Sequence, residues 1–214
     1  QLSGGQLNAH TNNATSNSAV SWGNNVTVTA NGSGLLMDNN TPAANGTATN
    51  ARIVFGSLTF AAPPTSFTGT TLSFGGFDQT DAVFNGVSLS NSPTISTNNN
   101  DANSTLTLAG GITGSGGLNF AGTAGEVIEI GGGTSDGTAN TYTGDIGIYG
   151  GARVVLNKAN NTQALTGDVI INGGTLTFKR AGQENQLAPG SKVYLYLGSL
   201  GVNPGTNLGT MPRD

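Results

Sequence analysis

The only histidine in this 214-residue chain is His10, which lies in a polar stretch without a ligand-spaced partner, and there is no cysteine. Ser-His-Asp catalysis, thiol catalysis, histidine or thiolate metal sites and a disulfide scaffold therefore have no residues to draw on. His10 itself reads as a solvated side chain. Carboxylates remain, since glycoside hydrolysis needs only two of them. One closely spaced pair is Asp78 and Asp81, in Phe77-Asp78-Gln79-Thr80-Asp81. At a corner such a pair binds an ion or lines a sugar groove, but aspartate also builds turns through its own backbone hydrogen bonds. The turn is the reading favoured here.

A second carboxylate pair sits at equivalent places of a repeat. Thr143-Gly144-Asp145-Ile146 recurs as Thr166-Gly167-Asp168-Val169. If the two copies stack about 4.8 Å apart, Asp145 and Asp168 repel, so either a cation bridges them or the corner splays them into water. Solvated corner aspartates are the preferred outcome. Calcium is the natural cation for such a place, and Gly131-Gly132-Gly133-Thr134-Ser135-Asp136 approaches the glycine-rich calcium nonapeptide, with threonine where its fourth glycine belongs. Among the basic residues, Lys158 and Lys179 are expected to line up in successive coils as a solvated row. These residues give no expectation of a cofactor, a metal or a catalytic site.

The elements that position these residues follow from composition and pattern. Only 8% of residues are charged, against roughly 25% in an ordinary soluble domain, and the apolar share is 35%. Gly, Asn, Thr and Ser fill the difference, which suits turns and solvent-facing strand positions rather than helices. A net charge of −4 without a basic stripe excludes nucleic acid as a partner, and no apolar run reaches the roughly 18 residues of a transmembrane span. Gln1-Leu2-Ser3-Gly4-Gly5 has neither the basic start nor the apolar stretch of a signal peptide, so Gln1 is read as a processed or constructed end.

The repeat is long: residues 143–152 return as residues 166–175, each copy crossing a Gly-Gly turn into an apolar strand, first Val154-Val155-Leu156 and then Leu176-Thr177-Phe178. A shift of 23 residues (166 minus 143) lies in the range of solenoid repeats. Residues 57–60, 71–74, 87–89, 105–108, 117–120 and 127–130 show the same alternation, separated in many places by glycine-rich corners. With one Trp and eight Phe, the chain is short of large residues for a β-sandwich of this length. A parallel β-helix needs only a thin core, because equivalent positions of successive coils stack in ladders.

Ile112-Thr113-Gly114-Ser115-Gly116-Gly117-Leu118, Asn140-Thr141-Tyr142-Thr143-Gly144 and Asn172-Gly173-Gly174-Thr175-Leu176 resemble successive parts of the autotransporter-associated β-strand repeat, also called the passenger-associated transport repeat. The resemblance spans residues 104 to 180. It implies a right-handed parallel β-helix of secreted or surface-displayed bacterial passengers, and it carries no catalytic residues. Pectin lyases and polygalacturonases share that fold class, but their sites combine clustered Asp with His, or calcium-binding Asp with basic residues. The lysines here are limited to Lys158, Lys179 and Lys192.

Three regions are expected: an Asn/Thr-rich cap or assembly arm over 1–50, the solenoid over 51–200 and a tail over 201–214. In the first, Val26 and Val28 form a strand candidate that either caps the solenoid or pairs with a neighbouring subunit. In the last coil, Val193-Tyr194-Leu195-Tyr196-Leu197 is the longest apolar-aromatic strand, either a well-buried final coil or an interface with Tyr194 and Tyr196 facing a partner. Low charge weakens repulsion between copies, so head-to-tail stacking into a filament follows. The function expected is an extracellular or cell-surface structural protein, non-enzymatic, with itself as the main partner. Its alternative is an adhesin module on which Tyr142, Tyr149 and Tyr194 stack on surface glycans.

Overall fold

The computed structural model describes residues 1–11, 19–39, 51–61, 70–76, 80–97, 104–123, 125–179 and 184–202. In chain order its strands are β1 (Gln6–Thr11), β2 (Ala19–Ser21), β3 (Val26–Val28), β4 (Ser33–Asn39), β5 (Arg52–Phe60), β6 (Thr71–Gly76), β7 (Asp81–Leu89), β8 (Thr94–Thr97), β9 (Thr105–Leu108), β10 (Ile112–Gly114), β11 (Leu118–Gly122), β12 (Val127–Ile130), β13 (Ile146–Tyr149), β14 (Arg153–Leu156), β15 (Val169–Phe178) and β16 (Val193–Val202). Among the described residues there is no α-helix, only a single 3₁₀ turn at Glu184–Gln186.

All strand pairs are parallel, and they sort into three ladders that give the coil three faces. The first face stacks β1, β4, β6, β8, β11, β13 and the leading halves of β15 and β16. The second stacks β2, the leading halves of β5 and β7, then β9, β12, β14 and the trailing halves of β15 and β16. The third begins with Leu2 bridging to Val28 and continues through β3 and the trailing halves of β5 and β7 to β10. Beyond β10 it thins to single contacts, such as Thr141 N–H on the Ile112 carbonyl and the bridge from Leu165 to Leu187. The chain is thus a parallel β-solenoid.

The 23-residue period is a physical register, since Ile146 lies opposite Val169. The strand, Gly-Gly turn, strand unit is also present: β13 is followed by Gly150-Gly151 and β14, while β15 runs through Gly173-Gly174 and changes face there. Gly173 takes a φ of +90° at that corner, which an L side chain adopts only under strain. Alternation does the rest. In β12, β14 and β15, Ile128, Ile130, Val154, Leu156, Leu176 and Phe178 point inward and stack rung on rung.

The described parts of residues 1–50 are coils of the same solenoid: β1 pairs with β4, which pairs with β6, and β2 and β3 pair with β5. The ladders therefore run continuously across the boundary expected at residue 50. The tail expected from residue 201 is joined to the solenoid at its start, because Gly201 and Val202 pair with Thr177 and Phe178. Residues 203–214 lie outside the described residues.

Close stacking leaves some positions no room for a side chain. Gly114 has a φ of +122°, and a Cβ there would lie 1.9 Å from the Leu89 carbonyl oxygen of the coil below. Gly137 has open space around its Cβ position and an ordinary φ. Gly114→Ala is therefore expected to lower the unfolding free energy by roughly 2–4 kcal/mol. Gly137→Ala should stay within about 0.5 kcal/mol of the parent. Urea denaturation of the two variants beside the parent checks both.

Candidate functional site

The residues singled out for chemistry are mostly engaged in holding one coil to the next. Asp145 Oδ1 accepts the Asp168 N–H at 3.0 Å, and Asp168 Oδ1 accepts the Lys192 N–H at 2.9 Å. The two aspartates occupy equivalent rungs at the solvated surface, Asp145 exposed and Asp168 half-buried, and each carboxylate also caps the backbone of the next coil. Asp81 does the same, with Thr105 N–H on its Oδ1 at 2.7 Å. It is the first residue of β7 rather than a turn residue. Asp78 lies outside the described residues. His10 is solvated as expected, its side chain 52% exposed, and its Nδ1 lies 3.2 Å from Asp38 Oδ2 on the neighbouring rung. Among the described residues no three His, Cys, Asp or Glu side chains converge as a metal site.

The expected lysine row does not form. Leu156 pairs with Phe178, so Lys158 falls one position out of step with Lys179. Their side chains take opposite sides of the wall. Lys158 is fully buried, with its Nζ 3.1 Å from Asp136 Oδ2 and 2.7 Å from the carbonyl oxygens of both Gly110 and Thr138. Desolvation holds its ammonium below the ordinary lysine range, opposed by the charge of Asp136 and its hydrogen bond. Asp136 also accepts the Gly132 and Gly110 N–H groups, at 2.8 and 3.1 Å. With the Thr138 N–H on its Oδ1 at 3.3 Å, the carboxylate of the near-miss calcium motif is thus committed to an internal ammonium and three amides. Lys179 stays at the surface, paired with Glu129, whose other oxygen accepts from Asn157 Nδ2.

Glu129 and Lys179 border a shallow groove of about 340 Å³ on the second face, which Thr105, Arg153, Thr175 and Thr177 also line. It offers hydrogen-bonding groups but no aromatic platform. Of the tyrosines expected to stack on sugars, Tyr142 is in the core, its hydroxyl accepting the Thr166 N–H at 3.2 Å. Burial pushes that hydroxyl up to about 12. Tyr149 is half-buried.

The remaining candidates are at the two ends of the rod. Val26 and Val28, considered for an assembly strand, have their side chains in the core, at 6% and 0% exposure. The last strand is different. Tyr194, Leu195, Tyr196 and Leu197 are 40, 53, 69 and 69% exposed, which excludes a well-buried final coil. Register gives the cause. Leu195 pairs with Ile171, the uppermost buried member of the inward column Phe120, Ile148 and Ile171. It points toward the core, but among the described residues no rung lies above it. Val193 pairs with buried Val169 and is itself only partly buried against the core. Tyr194 pairs with half-buried Ile170 on the outer side.

At the opposite end, Leu2, Leu7, Trp22, Val26 and Phe55 line a recess of about 280 Å³. Trp22 is 38% exposed and meets the Phe55 ring edge-on at 5.7 Å, and Phe55 stacks on Phe84 at 4.9 Å.

Compared with protein-family models, with curated proteins and with solved structures, the chain matches none. The class its fold defines is the parallel β-solenoid, and the surface features that stand out on it are its apolar ends.

Asp81 supplies a test of the inter-coil caps. Burial raises its carboxyl to about 6, against which the Thr105 N–H and the Arg52 charge act. The folded chain therefore holds this proton more tightly than the unfolded one, so stability falls as pH rises from about 4 through 6. A displacement of that size is worth at most about 3 kcal/mol, and partial exposure reduces it to about 1–2 kcal/mol. Asp81→Asn keeps an acceptor for Thr105. It is expected to be more stable than the parent by about 1–2 kcal/mol at pH 8, the gap closing near pH 4. Urea midpoints of both proteins across that range check the sign.

Proposed function

We propose that this chain is a structural, non-catalytic β-solenoid of the cell surface or extracellular space that associates with copies of itself through its last coil. The observation that carries the reading is the run Tyr194 to Leu197, four consecutive large side chains, each at least 40% exposed, on a strand paired on one side only among the described residues. An unpaired edge offers backbone donors and acceptors to another strand, and contiguous apolar surface beside it adds burial. Strand addition uses both: ladder hydrogen bonds for affinity and alternate side chains for register. The long walls of the rod are polar and carry few charges, in keeping with 8% charged residues overall, so repulsion between copies is weak. Resemblance to the autotransporter-associated repeat supports the location. It also supports the absence of a catalytic role.

The groove on the second face favours a second reading, an adhesin whose Thr, Arg and Glu side chains hydrogen-bond surface glycans. The two readings separate in one comparison. Sedimentation velocity and negative-stain electron microscopy of the full chain over a concentration series are expected to show growing rods. The double variant Leu195→Lys, Leu197→Lys should remain a single short rod with an unchanged circular dichroism spectrum. A parent chain that stays monomeric throughout while binding on a glycan array would replace assembly by adhesion.

A further inference from the structure

At the edge of the second face, side chains from three successive coils meet at one point: Glu129, Asn157 and Lys179. Register brings them together. β12 pairs with β14 and β14 with β15, so the three lie on consecutive rungs. One step beyond the pair of Leu156 and Phe178, Asn157 comes opposite Lys179, whose N–H still donates to the Leu156 carbonyl. These two residues are therefore one rung apart, about 4.8 Å along the stack. Glu129 sits on the rung before them and divides its carboxyl oxygens between them. Oε1 accepts from Asn157 Nδ2 and Oε2 from Lys179 Nζ, both at 2.5 Å. Glu129 and Asn157 are buried, at 8% and 2% exposure.

An amine, a carboxamide and a carboxyl group touching both are the three parts of an amide exchange. The amine is the nucleophile and the carboxamide carbon the electrophile. The carboxyl group takes a proton from one nitrogen and returns it to the other. Held on adjacent rungs, amine and carboxamide react as parts of one molecule, for which well-oriented pairs reach effective molarities of about 10⁵ M and above. The buried Lys158 has no such arrangement, because Asp136 would have to be the group attacked and the proton relay at once.

We propose that Lys179 and Asn157 become joined by an isopeptide bond that the folded chain forms itself, with Glu129 as the proton relay. Lys179 gives a proton to Glu129, and the Nζ lone pair attacks Asn157 Cγ. Glu129 then passes its proton to Nδ2 and takes a second one from Nζ as the Cγ–Nδ2 bond breaks. Ammonia leaves with that second proton as ammonium, which returns Glu129 to its carboxylate. One C–N bond forms, one breaks, and nothing is oxidised or reduced. The side chain of Lys179 is 39% exposed beside the groove, which gives the ammonia a way out. The product is a covalent staple between two consecutive coils.

Peptide mapping of the purified full chain by mass spectrometry tests this. After tryptic cleavage at Lys158, the segments on its two sides are expected to stay joined through Asn157 and Lys179. The joined species should come from a chain of monomeric mass, be lighter by one ammonia than the sum of its parts, and resist cutting at Lys179. Lys179→Arg keeps a cation for Glu129 but removes the primary amine, and Glu129→Gln keeps a partner for Asn157 but removes the relay. Neither variant should carry the link. The parent should also unfold at higher urea than Lys179→Arg, since the link closes a loop in the unfolded chain. A folded parent chain with Asn157 and Lys179 unlinked overturns the proposal whatever the variants do. So does ammonia lost from Asn157 alone as a cyclic imide. A link of equal yield in Glu129→Gln overturns the relay.

Discussion

Each coil of this chain takes its backbone partners from the coil before it and offers its own to the coil after it. The position of a side chain is therefore set by a residue 23 positions away where Ile146 meets Val169, and 28 away where Leu118 meets Ile146. That translation forces like onto like. An apolar inward residue extends a column, and an intruding Cβ strikes the neighbouring coil, as at Gly114. The same constraint explains why few large residues suffice. Phe55, Phe84, Leu108, Ile130 and Leu156 are all at most 1% exposed, because each is covered from above and below by its counterparts.

Polar groups obey the same rule. Asp145 and Asp168 would repel if they stacked freely, but each is tied to the N–H of the next coil, which turns a like-charge problem into an inter-coil bond. Lys158 and Asp136 carry the idea inside the wall, where an ammonium joins the corners at Gly110 and Thr138. A buried pair of this kind adds little net stability over apolar packing, yet removal of one partner leaves an uncompensated charge. Its effect is to fix which corners lie together. The Lys158 N–H on Gln186 Oε1 extends that fixing to the 3₁₀ turn of a later coil.

Much of this was legible in the sequence, because alternation and period are properties of residue types. The strands at 57–60, 105–108, 127–130 and 176–178, the Gly-Gly corner and the 23-residue step all follow from pattern alone. What charge and residue class concealed was direction. Val154 and Leu156 point inward, and two residues further on the same parity delivers Lys158 to the interior, where a lysine is not expected. Parity also had the Val26 and Val28 side chains inward from the start. Tyr142 is two residues beyond Asn140, and both are buried. Partners on other coils, such as Asp38 for His10 and Thr105 for Asp81, depend on register between distant segments, which a single motif does not encode.

A solenoid of translated coils has no internal reason to stop, so its ends must be specified by side chains. Natural sheets blunt their edges with lysine, proline, bulges or covering segments. Val193–Val202 contains no charged residue and no proline, and the nearest lysine, Lys192, precedes the strand instead of interrupting it. Gln6–Thr11 at the other end carries no lysine, aspartate or glutamate either. The first and last described rungs therefore keep the composition of interior rungs. In a fold whose every interior rung is stabilised by a parallel neighbour, rungs of that composition are suited to pairing on both sides, whether the next rung belongs to the same chain or to another.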